Sequence, residues 1–568
     1  MSDVVTGPGP ATTSAAATAT RRSAGGVVGR SRWTGDTTAG VLSAVVLALP
    51  FAVIIGRYLA DGSAVHLSDD LALGDLHVRE AMGLHQLLGP FDRFGWNHPG
   101  PVYYYLQSFV AHLVGPGARA DYVGAAVINL AAAGATVWAV RRRSGPLAGL
   151  WTSACLAFLA IMLTSTSLGL ATYSEGAIGA VVNPWNPDVV IFPLVLTGVL
   201  AAAGAAGRGA ALLGAALTGS FAVQTNLATA PLVATFLVAS AGAAAVGWWR
   251  AGRPLRRPGL LVTAGLVALV AVWAAPLVQE LTGHPGNLTL IWRFFRAPHR
   301  TLSLAIGLWS TVSATGVLMF GIRNQFTTLD VLGDPRPYAW LVLLVVLVGG
   351  AATLAIGVRR RDRFAAALGA AGLLGFGAVV VSVTRIVGPV FGYLVLWEVA
   401  VPIVGLIGLG VAVIGRARCA GRALWALSGV AVLSGCVLGA KMAALPPLTA
   451  ATDPASATAW TLVEAHLPAR RGPVFVGDTG TDFIGLFTFF GVVDDLEAHG
   501  YQPRVSPFWR TEVGDRHVTR GGEPVRVLLL PPSAANRALP GYAGHTAHAD
   551  VTVTVDPGYG GPGAGAPA

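Results

Sequence analysis

The chain has 568 residues, 54% of them hydrophobic and only 12% charged, with a formal net charge of +10. Soluble domains carry about 25% charged residues, so there are too few charges here to coat three or four water-facing domains. The composition likewise excludes disordered, collagen-like and disulfide-stapled classes. Lys441 is the only lysine, and the arginines sit largely at the ends of apolar runs rather than in the contiguous patch that a nucleic acid needs.

Residues 1–36 are rich in Ala, Thr, Gly and Ser and lack apolar periodicity; with Arg21, Arg22, Arg30 and Arg32 they read as a disordered cytoplasmic N-terminus. From residue 39 onward, runs of about 20 apolar residues recur, each long enough to cross a hydrocarbon core of ~30 Å. Eleven spans are expected, near 39–59, 121–140, 147–167, 188–206, 209–225, 227–247, 259–277, 338–357, 364–383, 393–415 and 422–441. The chain is therefore a polytopic α-helical membrane protein. Two more apolar stretches, 101–116 and 301–320, are placed in the interface or as re-entrant segments. If both crossed, Arg141, Arg142, Arg143, Arg208, Arg250, Arg253, Arg256 and Arg257 would all face outside, against the positive-inside rule.

The odd number of crossings puts everything after the membrane domain (37–441) outside the cell membrane. In 442–556 charges return, including Asp478, Asp482, Asp494, Asp495 and Glu497. Strand signals at 472–477 and 525–530 flank a helix near 482–498, as in a small extracytoplasmic α/β domain. The Gly-rich run 477–480 lacks both a dinucleotide fingerprint and a Walker lysine, and reads as a turn. Residues 557–568 form a Gly/Pro/Ala tail expected to be disordered. Cys155, Cys419 and Cys436 have neither disulfide nor zinc spacing and read as packing residues.

The first external loop carries the densest chemistry. Asp69 and Asp70 follow the first span directly. Adjacent carboxylates repel, one pKa rises, and a carboxylate titrating nearer neutrality suits a general base. Alternatively, Ser68 or Asp69 is the N-cap of an amphipathic helix over 70–82, and both readings stand at this point. Further on come Trp96, Asn97, His98, Pro99, Gly100, Pro101 and the Tyr103–Tyr105 run. A second Trp/Asn/Pro entry, Asn183-Pro184-Trp185-Asn186-Pro187, opens another span. Two such entries on one side suggest a shared polar cavity, to which Glu175 and Gln224 would also contribute.

An Asp pair after span one, followed by a His-Pro-x-Pro motif and aromatic residues, resembles the GT-C superfamily of integral-membrane glycosyltransferases. The pattern is similar to the bacterial branch related to protein O-mannosyltransferases and lipid A aminoarabinose transferases. His98-Pro99-Gly100-Pro101-Val102-Tyr103-Tyr104 stands where His-Pro-Pro-Leu-Tyr-Tyr is usual, Gly100 being the departure. The resemblance covers about residues 39–260 and then weakens. It implies a polyprenyl-phosphate sugar as donor, a cell-envelope glycan or glycolipid as acceptor, and transfer with inversion. It also implies Asp69 or Asp70 as the base, with Trp96, Asn97, His98, Tyr103, Glu175, Asn183, Trp185, Asn186 and Gln224 around the substrates. His284, Arg293, Arg296 and Arg385 would bind phosphate, arginine through its planar fork. A divalent metal is compatible with such a site, although no ligand set identifies one. Glu398, costly in hydrocarbon, is expected to face a cavity or Arg385. The rival reading is a non-catalytic protein that binds or transports a lipid-linked saccharide, which would hold its ligand near the midplane.

Overall fold

The computed structural model describes residues 22–164, 178–252, 259–320, 337–414, 422–557 and Tyr559. Glu175, Arg253, Arg256, Arg257 and Cys419 lie outside the described residues, as do most of the N-terminal tract and of the tail. Among the described residues, ten helices are long and apolar enough to cross a membrane. They match ten of the eleven expected spans. The eleventh, Gly209–Thr225, is a 17-residue apolar helix, about 26 Å long at ~1.5 Å per residue.

In chain order the membrane part comprises α1 (Arg22–Ala60), α2 (Asp69–Met82), a two-stranded hairpin β1 (Phe91–Asp92) and β2 (Trp96–Asn97), α3 (Val102–Val114), α4 (Ala118–Ser144) and α5 (Pro146–Thr164). Then follow α6 (Asn186–Ala205), α7 (Gly209–Thr225), α8 (Ala230–Arg250), α9 (Leu260–Thr282), α10 (Asn287–Arg296) and α11 (Leu304–Phe320). The bundle closes with α12 (Pro337–Arg359), α13 (Arg363–Val383), α14 (Ala400–Ile414) and α15 (Arg422–Ala443). The first helix begins at Arg22 rather than near 39, so part of the tract expected to be disordered is helical. It contains no proline before Pro50 to stop the helix from extending backwards.

Arginines mark one end of the bundle. Arg141–Arg143 close α4, Arg250 closes α8, and Arg359 closes α12. The opposite end carries α2, α3, α10 and the C-terminal domain. Helix α3 has 13 residues and is not among the candidate spans. It folds back onto the start of α4, where Gln107 Nε2 donates to the Asp121 carbonyl at 3.0 Å. Leu106, Phe109 and Leu113 stay exposed along one face of α3 (46%, 67% and 70%), an amphipathic stripe suited to an interface. Helix α11 lies across the end of the α12–α13 hairpin. Gly307 packs on Val380 and Thr384, Gly316 on Ala339, and these all belong to the same end of that hairpin. Neither helix is among the ten long enough and apolar enough to span.

The C-terminal domain contains α16 (Pro454–Glu464), β3 (Pro473–Asp478), α17 (Phe483–Ala498), β4 (Gln502–Val505), β5 (Val525–Leu530), β6 (Tyr542–His545) and β7 (Asp550–Val555). The sheet order is β4-β3-β5-β7-β6, with β3 parallel to β4 and β5 and the remaining pairs antiparallel. Three of these strands gave no clear signal in the sequence. Hydrophobic packing runs without a break from the bundle into this sheet, from Phe51 and Tyr58 to Val474 and Val527. The join is made by α17 packing on α2, and this explains an oddity of α2. Asp75, His77 and Glu80 are buried although polar, because α3 covers one side and α17 the other.

Candidate active site

The first turn of α2 presents Asp70 to a recess lined also by Tyr103, Tyr104, Asp121, Trp185 and Asn186. The recess holds about 450 Å³ of space between atoms, part of it open to solvent. Trp185 donates from its indole Nε1 to Asp70 Oδ2 at 2.8 Å. Its own position is built by the proline-framed turn: Asn183 Oδ1 accepts from the Trp185 backbone N–H, and Asn183 Nδ2 donates to Asp188 Oδ2 at 2.8 Å. Tyr103 completes the frame, donating its hydroxyl to the Pro184 carbonyl and accepting from Gln107 Nε2 at 2.8 Å. Asn186 is tied to the Thr225 carbonyl at 3.2 Å. Among the expected substrate contacts, Tyr103, Trp185 and Asn186 therefore share one wall with Asp70, and Asn183 supports that wall from behind.

Asp69 has φ of +50°, in the left-handed region. Outside glycine, Asp and Asn adopt that conformation most readily. The N-cap position belongs to Ser68, whose side chain makes no capping bond. Asp69 thus ends the preceding extended segment with a sharp turn that aims the next residue, Asp70, at the recess.

Burial pushes the Asp70 carboxyl up from the usual carboxylate range, and the Trp185 hydrogen bond opposes that rise. A second acid stands nearby, Asp92 at the tip of the hairpin. Its pKa is raised to about 6, by burial first and also by Asp70, against the Phe94 backbone N–H and Arg93. The Arg93 guanidinium lies 5.1 Å from the ring centre of Phe94 and 5.4 Å from that of Phe391. It donates to the Tyr393 hydroxyl and to the Val387 carbonyl, each at 3.2 Å. The Tyr393 ring in turn packs on Trp185 with centroids 5.1 Å apart. Arg93 is exposed, which leaves it a cation at the rim of an acidic recess.

Asp92, Arg93 and Tyr393 were not legible as site residues. The charge pair at 92–93 inside an apolar hairpin was the only local sign. Tyr393, some 300 residues further on, gave none.

The Trp96–His98 segment serves the frame instead. His98 is buried and its pKa is lowered to about 3 by that burial, so the ring is neutral; Nδ1 accepts from the Leu227 N–H at 3.1 Å. Asn97 and Asn287 clasp each other. The Asn97 N–H donates to Asn287 Oδ1 at 2.8 Å, and Asn287 Nδ2 donates to the Asn97 carbonyl at 2.7 Å. Asn97 Nδ2 also reaches the Thr511 carbonyl at 3.2 Å, in the C-terminal domain. Trp96 packs on Phe294 and Phe295 of α10. Gln224 donates to the Val272 carbonyl at 3.0 Å, and together with Pro276 it fills the space beside Gly100. Any side chain at position 100 would strike them, which explains the glycine between the two prolines.

The expected phosphate ligands are not brought to the recess. His284 is exposed, with Nδ1 on the Thr282 carbonyl at 2.9 Å. Arg293 and Arg296 lie on the exposed face of α10, Arg296 stacked 4.4 Å above the Trp292 ring. Arg385 is exposed at the turn after α13, and Glu398 faces a different cavity, so the two do not pair. Among the described residues, no three His, Cys, Asp or Glu side chains are grouped to hold a metal ion, and no step below is routed through one.

Two solved structures share this architecture. The fold is similar to that of ArnT from Cupriavidus metallidurans. Against ArnT bound to undecaprenyl phosphate, the TM-score is 0.52 at 14% identity, over 94% of this chain and 98% of the other. Against ArnT in the apo state it is 0.53, also at 14% identity, over 89% and 97%. At this identity the likeness is one of fold: over nearly its whole length the chain folds as that membrane-helix bundle does. No protein-family model matches the sequence, and no curated protein matches it.

Proposed function

We propose that this protein is a multi-pass membrane glycosyltransferase. In this reading it moves a sugar from a polyprenyl-phosphate donor to a cell-envelope glycan or glycolipid acceptor on the outer side of the cell membrane. The observation that carries the reading is the Asp70–Trp185 pair. It is an oriented carboxylate, raised by burial, in a recess at the domain end of a GT-C fold. The arginine-rich end is cytoplasmic by the positive-inside rule, so the recess and the domain of 442–556 lie outside.

Asp70 takes the proton of the acceptor hydroxyl as its oxygen attacks the anomeric carbon. The bond from that carbon to the phosphate oxygen breaks, and polyprenyl phosphate leaves from the opposite face, with inversion. The leaving group is already a stable anion and needs charge stabilisation more than protonation. Arg93 is the cation placed for this, held between two aromatic rings with its exposed face toward solvent. The exposed arginines of α10, Arg293 and Arg296, stay available to lipid phosphates at the interface.

The transporter reading calls for a midplane site. The recess instead sits at the bundle end, between α2, α3 and the turn at 183–186, which supports the enzyme. The test is sugar transfer from a synthetic polyprenyl-phosphate sugar by purified protein in lipid nanodiscs. Transfer that is lost in Asp70→Asn while the donor still binds supports the reading. Absence of transfer from a panel of such donors, with wild-type protein and a mixed envelope-lipid acceptor, counts against it.

A further inference from the structure

A second polar feature lies inside the bundle, apart from the Asp70 recess. Glu398 lies in the short turn Leu396–Val399 just before α14 and is 1% exposed. It faces a small cavity under helix α11, with about 310 Å³ of space between atoms, part of it open to the surroundings. Thr311 and Thr315 line the same cavity from one face of α11, a single turn apart; the rest of the wall is apolar, including Leu343, Phe376 and Val379. Both carboxyl oxygens of Glu398 and the Thr311 hydroxyl are buried without a hydrogen-bond partner among the described residues. Thr311 stands beside the carboxylate, and no hydrogen bond of ordinary geometry joins the two. Glu398 is the one titratable side chain among the lining residues.

We propose that this cavity is a monovalent-cation site, with the Glu398 carboxylate as its charged ligand and the Thr311 and Thr315 hydroxyls as neutral ones. Unsatisfied polar atoms are costly in an apolar interior, and an unpaired charge more so. Carboxylate and hydroxyl oxygens are hard donors, suited to hard cations. The charge balance selects the valence. One carboxylate neutralises one Na⁺ or K⁺, whereas a divalent ion would leave a net positive charge among Leu, Phe and Val side chains. The site also has a structural consequence. The segment Gly392–Val399 carries both Tyr393 and Glu398 and packs against Asn186–Val189. An ion held by Glu398 would stiffen one wall of the Asp70 recess.

The test uses the full chain in detergent or nanodiscs. The thermal midpoint is followed by tryptophan fluorescence in NaCl, KCl and choline chloride at equal ionic strength. A saturable rise in one alkali chloride over choline chloride is expected, because a ligand that binds only the folded state stabilises by mass action. The rise should be absent in Glu398→Gln and need at least about tenfold more salt in Thr315→Val, a loss of roughly 1.4 kcal/mol in binding. Should Glu398→Gln fail to fold, binding of radioactive sodium to the wild-type protein, with competition by unlabelled Na⁺ and K⁺, decides the matter. Equal midpoints in all three salts with no bound sodium or potassium would overturn the site. So would a stability that rises with acidity alone and ignores the cation, since that marks a simply protonated Glu398. Neither readout depends on sugar transfer.

Discussion

The indole Nε1 of Trp185 donates a 2.8 Å hydrogen bond to Oδ2 of Asp70, joining two positions 115 residues apart in sequence. It fixes which carboxylate of the Asp pair faces the recess and which lone pair stays free for a proton. It also sets the tuning, because the bond favours the ionised acid while burial opposes it.

Asp70→Asn should lower sugar transfer by ~10²–10⁴-fold, the usual contribution of a positioned base, with folding and donor binding retained. Asp69→Asn should be far milder, because Asn tolerates the left-handed backbone at φ +50°. Asp69→Val should instead cost stability through that backbone. Transfer rates normalised to folded protein, together with thermal midpoints, separate the two residues. Near-wild-type turnover in Asp70→Asn would return the pair to a helix-start role.

Trp185→Phe should move the acidic limb of the pH–rate profile to higher pH. A base acts when ionised, and removing the indole donor leaves its carboxylate less stabilised. Asp92→Asn should move the same limb the other way, since Asp92 and Asp70 raise each other. Profiles of kcat/KM against pH for the three proteins check the signs, and parallel shifts in both variants would contradict this assignment.

Arg93→Ala should weaken transfer through the leaving phosphate, and Arg93→Lys should recover only part of it, because the flat guanidinium is held between Phe94 and Phe391. The loss should show in kcat/KM with polyprenyl-phosphate donors. An unchanged value in Arg93→Ala would remove Arg93 from the site.

The C-terminal domain docks through charge. Arg79 donates to Asp75 at 2.6 Å and lies 3.9 Å from Asp494; His66 meets Asp495 at 3.0 Å. His517 stands between Glu80 and Glu497. Burial alone would lower the His517 pKa, but the two glutamates raise it above the ordinary 6.5. The stability it contributes is complete below pH 6.5 and is lost as pH rises through the folded-state value. Thermal midpoints should therefore fall on the alkaline side of 6.5 in the wild type, and His517→Gln should flatten that fall. An identical pH dependence in the variant would count against this docking role.

A variant lacking Cys155, Cys419 and Cys436 reports on orientation. Arg142→Cys should resist an impermeant thiol reagent in intact cells, and Ala535→Cys should react. The reverse pattern would invert the membrane placement of the recess.

Membrane class and the positions of the long apolar helices could be read from the sequence. Hydropathy and arginine placement are local quantities that a bilayer enforces directly. The Asp pair and the 183–187 turn were legible as chemistry, because carboxylates and Trp/Asn/Pro entries beside spans stand out against an apolar background. What each residue does was decided by packing. His98 and Asn97 read as ligands, yet the chain uses their directional hydrogen bonds to fasten Leu227, Asn287 and Thr511. Asp75, His77 and Glu80 are polar residues of one amphipathic helix, and a domain some 400 residues further on covers them. Arg93, Asp92 and Tyr393 join Asp70 through pairings between remote elements, and local sequence holds no record of such pairings. Composition and periodicity determine which solvent a segment prefers, whereas only the tertiary structure decides which polar groups meet once that solvent is gone.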